Sequence, residues 1–153
     1  MDRTINDLSA RLYSLNQEIK AAISESRFDE YEDLSGIKSD PRDPDQRQLV
    51  REYRDIFDKL ETASRAIDYL QRPAADPERL HKNSQGKYET TKKVYSCGSP
   101  VEFLITEEIW PDGEPETVEE WRLGRIEHDG TDYYIFGYHD LPLEGLTVRQ
   151  RED

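Results

Sequence analysis

The sequence has a single cysteine, Cys97, so it cannot form a disulfide within the chain. It also lacks a long apolar run, because no stretch approaches the ~20 residues that a bilayer-spanning helix needs. The first residues do not follow the basic-then-apolar pattern of a secretory signal. Together these absences predict a cytoplasmic protein.

Basic residues are scarce relative to acidic ones. The 153-residue chain has 21 Lys and Arg against 34 Asp and Glu, a net charge of −13. Residues 1–76 contain 12 bases and 17 acids, and the remainder contains 9 and 17, so both parts are acidic. Binding to nucleic-acid phosphates or to an anionic lipid surface requires a basic face. The composition therefore argues against direct nucleic-acid binding and against membrane binding.

Motifs that mark catalysis or metal binding are missing as well. The three histidines, His81, His128 and His139, do not have the short spacing of a zinc site, and Cys97 cannot supply half of one. No glycine-rich phosphate loop and no nucleophile-elbow serine are present. We therefore expect no cofactor, no metal and no enzymatic activity.

Two stretches in the first half carry apolar residues at the three–four spacing of amphipathic helices. The first helix is expected to begin near Thr4, and the second at Asp43-Pro44 and to end before Pro73. Residues 1–72 thus predict an antiparallel two-helix hairpin with a long connection over 24–42. This connection is either a mobile loop, or part of it folds back onto the helices or forms a further helical turn. The apolar positions form two seams: Ile5, Leu8, Leu12, Leu15, Ile19 and Ala22, then Leu49, Tyr53, Ile56, Leu60, Ala63, Ile67 and Leu70.

The second half changes to the period of two that is typical of strands. Residues 73–79 contain two prolines and predict a stiff linker. Residues 80–153 predict a small β-barrel of five or six strands, so the fold class is α+β. Asp129-Gly130 predicts a type I′ hairpin turn, and the alternation of the preceding strand places Trp121 and Leu123 toward the core.

One segment, residues 107–120, concentrates negative charge without any basic residue. It is interpreted as a loop, either a solvated hairpin tip or an acidic surface that recruits a partner. Trp110 within this segment is a candidate apolar anchor, since tryptophan is enriched at binding hot spots. The candidate partner-binding residues are Glu107, Glu108, Trp110, Asp112, Glu114, Glu116, Glu119 and Glu120.

Four phrases carry a resemblance to a known family: Asn83-Ser-Gln-Gly-Lys-Tyr88, Ser96-Cys-Gly-Ser-Pro-Val-Glu-Phe-Leu104, Trp121-Arg-Leu-Gly-Arg-Ile-Glu-His128 with Tyr133-Tyr134, and Leu143-Glu-Gly-Leu-Thr-Val-Arg149. Residues 81–149 resemble a small domain-of-unknown-function family (number 5348) of Gram-positive bacteria and their mobile elements. The resemblance implies a compact barrel of the SH3-like type and an accessory protein. It implies no catalytic residue.

These observations favour a non-catalytic acidic protein-binding module. We expect an inhibitor or adaptor from a mobile element that occupies a basic nucleic-acid-binding groove of a host defence protein. One alternative is a structural protein that forms a homodimer through the helical seams. Another is a carboxylate-dependent hydrolase using Glu107 and Glu108, or a His–Asp pair such as His128-Asp129 or His139-Asp140.

Overall fold

Both long helices begin at local capping signals. In the computed structural model, which describes residues 3–31 and 33–152, α1 spans Ile5–Ser26 and α3 spans Pro44–Gln71. The Thr4 hydroxyl accepts a hydrogen bond from the Asp7 N–H at 3.2 Å, and the Asp7 carboxylate accepts one from the Thr4 N–H at 2.9 Å. The Asp43 carboxylate caps α3 by accepting from the Asp45 N–H at 2.9 Å. The predicted helix starts at Thr4 and Asp43 are confirmed.

The segment between these helices folds back onto them. A one-turn helix, α2, spans Phe28–Tyr31, after Arg27 ends α1 in the left-handed conformation with φ 61°. Phe28 and Leu34 are buried, and the ring of Phe28 lies 5.8 Å from that of Phe57 on α3. Of the alternatives for this connection, both the folding back and the further helical turn are observed in the described part.

Contact between α1 and α3 runs through a polar cluster and an apolar cluster. Asn16 is fully buried: its amide oxygen accepts from the Ser64 hydroxyl at 2.6 Å, and its amide nitrogen donates to Asp68 at 2.9 Å. Lys20 pairs with the same Asp68 carboxylate at 2.8 Å. This hydrogen bond from Lys20 is the main cause that lowers the pKa of Asp68. The apolar cluster consists of Ile23, Phe28 and Leu34 with Ile19, Val50 and Phe57.

The second half forms a curled antiparallel sheet, so the α+β class is confirmed. The strands of this unit are β1 Glu78–Arg79, β2 His81–Lys82, β3 Tyr88–Glu89, β4 Pro100–Ile109, β5 Glu116–His128, β6 Tyr133–Ile135 and β7 Thr147–Arg149. Five of them form the curled sheet in the order β1-β7-β4-β5-β6, and β2 pairs separately with β3. The buried core of this unit consists of Leu80, Tyr88, Tyr95, Val101, Phe103, Ile126, Ile135, Leu143 and Val148.

Residues 73–79, the segment expected as a linker, lie along the edge of this sheet. The Ala75 N–H donates to the carbonyl of Gln150 at 2.7 Å, and β1 pairs with β7. The chain divides by its internal contacts into two units, Met1–Arg72 and Pro73–Asp153. Within the described residues, no helix has the length and hydropathy required to cross a bilayer.

The turn between β5 and β6 differs from the predicted type I′. Gly130 has a positive φ of 94°, but Asp129 does not, and the connection covers the four residues 129–132. The Asp129 carboxylate accepts hydrogen bonds from the N–H groups of Thr131 at 2.8 Å and Asp132 at 2.9 Å. The type I′ prediction was wrong: the Asp129 side chain accepts from the Asp132 N–H in place of its own carbonyl, while the Asp129 N–H still donates to the Asp132 carbonyl at 3.1 Å.

Candidate partner-binding site on the β4–β5 ribbon

The acidic segment is mostly strand, which corrects its interpretation as a loop. Strands β4 and β5 stay paired from Pro100↔Arg125 out to Ile109↔Glu116, and only residues 110–115 connect them. The β-branched residues Thr106, Ile109 and Thr117 favour this extension of the hairpin. The connection carries Trp110, Asp112 and Glu114, whereas the strands carry Glu107, Glu108, Glu116, Glu119 and Glu120. We call residues 107–120 the acidic ribbon.

The strand register divides the ribbon carboxylates between two faces. Residues directly opposite in an antiparallel pair point to the same face, and successive residues alternate. Glu107, opposite Val118, and Glu120, opposite Ile105, therefore share the face of the core residue Phe103. Glu108 lies on the opposite face. The adjacent pair Glu107 and Glu108 does not converge on one point, as the hydrolase alternative would require.

Arg122 neutralises two carboxylates of the ribbon. Its Nε donates to Glu120 at 2.6 Å, and its Nη2 donates to Glu107. Its Nη1 donates to the Tyr138 hydroxyl at 2.5 Å, and the hydrogen bonds to Glu120 and Tyr138 raise the pKa of Arg122. Arg122 was not among the predicted site residues because it lies two residues past the acidic segment. The available signal was its i+2 spacing from Glu120, which places both side chains on one face of a strand.

Five ribbon carboxylates have no cationic partner among residues 3–31 and 33–152. Trp110, at the start of the connection, is 60% exposed. The ribbon thus presents uncompensated negative charge at its tip and on both faces, next to one large apolar side chain. The five carboxylates are those of Glu108, Asp112, Glu114, Glu116 and Glu119.

Trp121 lies on the face opposite the core, so its predicted orientation toward the core was wrong. The guanidinium of Arg149 is 4.3 Å from the centre of its ring, and the neighbouring Leu123 is 57% exposed. Gly124 explains why Trp121 and Leu123 face away from the core. It takes the core-facing position beside Phe103, where there is no room for a side chain. The alternation of β5 was therefore assigned to the wrong face.

Behind Trp121, a buried carboxylate organises the same face. Glu102 is 4% exposed and accepts hydrogen bonds from the Nε of Arg149 and the Nε of Arg151, each at 2.8 Å. Burial of a carboxylate in this way requires such partners. The two guanidinium groups compensate the charge of this buried carboxylate.

The histidine–aspartate pairs adjacent in sequence are not the pairs that meet in space. His139 Nε2 lies 2.9 Å from Asp129 Oδ2, and the ring of Tyr134 is 4.6 Å from that of His139. His81 instead meets Glu144 at 3.1 Å. Over the described ranges, no three His, Cys, Asp or Glu side chains are grouped to hold a metal ion.

The Asp129 carboxylate is held by three donors. The N–H groups of Asp132 and Thr131, followed by His139, lower the pKa of Asp129 well below its usual range. These contacts shape the edge of an open groove of about 360 Å³ that includes Tyr88, Tyr133 and Tyr134. The Asp129 carboxylate at this edge therefore stabilises the turn between β5 and β6.

Fold and site together define an α+β protein with two long helices, a curled antiparallel sheet and a charged strand ribbon as its candidate site. The model of a family of unknown function, DUF5348, matches residues 78–150, which lie within the second unit. The resemblance over residues 81–149 is confirmed. No curated protein matches the chain. No solved structure matches it either.

Proposed function

We propose that this chain is a non-catalytic protein-binding module whose acidic ribbon occupies a basic surface of another protein. The observation that carries the proposal is the set of five ribbon carboxylates without a cationic partner in the described chain. The pairing of β4 with β5 holds Glu108, Glu116 and Glu119 in register, and the short connection 110–115 carries the other two carboxylates. Fixed charges of one sign raise the rate of encounter with an oppositely charged surface.

Trp110 gives this surface an apolar anchor. A tryptophan exposed beside charged residues supplies the contact area that concentrates binding energy at an interface. We propose that the partner groove is one that otherwise binds nucleic acid, since such grooves are lined by Lys and Arg. The chain would then act as an inhibitor or adaptor in the cytoplasm, in the accessory role of a mobile-element protein.

We further propose that α1 and α3 form an antiparallel hairpin and that the second unit is an SH3-like barrel. Asn16 contacts Ser64, whereas Phe28, later in the chain, contacts the earlier Phe57. As the contacting residue advances along the first segment, its partner recedes along α3. This pattern supports an antiparallel arrangement. The five-stranded curled sheet with its single buried core supports the barrel.

The test is capture of partners from a nuclease-treated Gram-positive bacterial lysate with three forms of the full chain, eluted by a salt gradient. The ribbon variant replaces the five carboxylates by amides and changes the net charge from −13 to −8. A matched variant makes five amide replacements at exposed helical positions, Glu18, Glu25, Asp29, Glu52 and Asp58, and has the same net charge.

We expect the wild type and the matched variant to capture the same basic nucleic-acid-binding protein, released as salt screens the contact. The ribbon variant is expected to lose it, and Trp110→Ala to elute at lower salt. The purified partner should then release a labelled oligonucleotide when the wild-type chain is added. If the ribbon variant captures the same partner equally well, the proposal is refuted, because binding would then not depend on the five ribbon carboxylates.

A further inference from the structure

A large part of each apolar seam on the two long helices is exposed. We call seven of their residues the seam face, and their side chains are between 38% and 73% exposed. In a water-soluble helix such a stripe normally faces a core. The seam face consists of Ile5, Leu8, Leu12 and Leu15 on α1 and Leu49, Tyr53 and Ile56 on α3.

The seam face is exposed because the helices contact each other mainly through positions beside the seams, with Ile19 as a seam residue that does pack in the apolar cluster. At about 100° per residue, the seam of α1 is rotated about 60° from the line through Asn16 and Ile23. The seam of α3 is rotated about 75° from the line through Ser64 and Phe57. Both rotations have the same sense when each helix is viewed from its own N-terminus. In the proposed antiparallel hairpin, equal senses of rotation bring both seams to one side of the helix pair.

We propose that a second copy of this chain covers the seam face and completes a four-helix bundle with two-fold symmetry. A two-helix layer with one apolar side becomes a bundle when two such layers face each other. A two-fold axis places the same patch on both partners, so a single self-complementary face is sufficient.

The area of the seam face is large enough for a stable contact with a second copy. Its exposed side chains present on the order of 600 Å² per copy, so a symmetric pair buries about 1,200 Å², the lower limit for stable interfaces. A patch of this size lies at the upper end of what typical monomers expose, and such patches are often functional.

The charges beside the seam face also suit a second copy. Arg11 and Glu18 flank the seam of α1, while Glu52 and Lys59 flank the seam of α3. Both signs are therefore available at the rim. A surface of mixed charge does not repel its own copy, unlike the acidic ribbon. The dimer proposal is independent of what the ribbon binds.

Sedimentation velocity of the full chain tests this proposal over a range of about 1 to 100 µM, the range in which small interfaces associate. We expect a concentration-dependent shift to twice the mass of one chain. Leu12→Glu and Ile56→Glu should each raise the dissociation constant of the dimer at least tenfold. Both positions are exposed within the chain, so the helical circular dichroism should be retained.

Tyr13→Glu is the matched control, because Tyr13 is an exposed neighbour on the other side of the α1 contact line. It should leave the dimer intact, as should the ribbon variant. A wild-type chain that stays monomeric at every concentration overturns the proposal, and this measurement needs no variant. A dimer that both seam variants leave unchanged overturns it as well.

Discussion

Gly124 packs directly against the ring of Phe103: a Cβ built on Gly124 would lie 2.9 Å from Cε1 of that ring and 2.8 Å from Cγ2 of Ile135. Real Cβ atoms do not come so close, so a side chain at 124 must displace the core. This contact determines which residues of β5 face inward. It places Arg122 on the core side of the ribbon and Trp121 on the other side.

Replacement of this glycine should therefore destabilise the second unit. We expect Gly124→Ala to lower the free energy of unfolding by about 1–3 kcal/mol through overpacking. Urea unfolding followed by tryptophan fluorescence measures this, because Trp110 and Trp121 both belong to that unit. Leu123→Ala, at the exposed neighbouring position, should stay within about 0.5 kcal/mol of the wild type. Equal effects of the two variants would contradict the close packing.

The buried amide of Asn16 should matter for the first unit. Asn16→Ala leaves the Ser64 hydroxyl without its acceptor and should lower the free energy of unfolding by about 1–3 kcal/mol. Helical circular dichroism during urea unfolding reports this change. The double variant Asn16→Leu with Ser64→Ala replaces both partners by apolar groups and should regain most of the loss. If the double variant is no more stable than Asn16→Ala, the hydrogen bond does not account for the effect.

Arg122 should screen its two acidic neighbours from each other. Arg122→Met leaves Glu107 and Glu120 together without their cation, so we expect a lower urea midpoint that added salt partly restores. Adding Glu107→Gln to this variant should raise the midpoint again. A midpoint for Arg122→Met that does not respond to salt would indicate that its contact with the Tyr138 ring, and not its charge, stabilises the unit.

Asp129 should make stability depend on acid pH. Its pKa is lowered in the folded chain by the N–H groups of Asp132 and Thr131 and by His139, so folding favours its ionised form. The resulting stabilisation is present above the ordinary value of 3.8 and is lost as the pH falls below it. Between about pH 4 and pH 2, Asp129→Asn should therefore show a smaller loss of stability than the wild type.

Thermal unfolding at a series of pH values provides this comparison. Asp140→Asn is the control, since Asp140 is exposed and has no ion pair within the described ranges. This control should follow the wild-type profile. Parallel profiles for the wild type and Asp129→Asn would exclude the Asp129 turn as a source of the acid sensitivity.

Cys97 should alkylate slowly for an exposed thiol. Its Sγ donates to Glu127 Oε2 at 3.1 Å, and this hydrogen bond to a carboxylate raises the pKa of Cys97. A higher pKa leaves less thiolate, the reactive form, near neutral pH. Glu127→Gln should accelerate iodoacetamide labelling several-fold, as measured by mass spectrometry at about pH 8. Glu108→Gln is the charge-matched control and should leave the rate unchanged.

Helix boundaries and the family resemblance could be predicted from the sequence because their signals are local. Thr4 with Asp7, and Asp43 with Pro44, place each capping group within three residues of the N–H groups it serves. The extent of β4 and β5 could not be predicted in this way. Acidic residues are depleted in strands, so the segment resembled a loop until its cross-strand partners were known.

The sequence by itself determined the helical periodicity, the α+β class, the excess of negative charge and the resemblance of the second unit to a known family. Each depends on composition or on residues close together in the chain. Only the tertiary structure decided that Arg122 pairs with Glu107, that His139 meets Asp129 and that Gly124 turns Trp121 away from the core. These contacts join residues ten or more positions apart or on different strands. Their formation depends on strand register and packing, and local propensity carries no information about either.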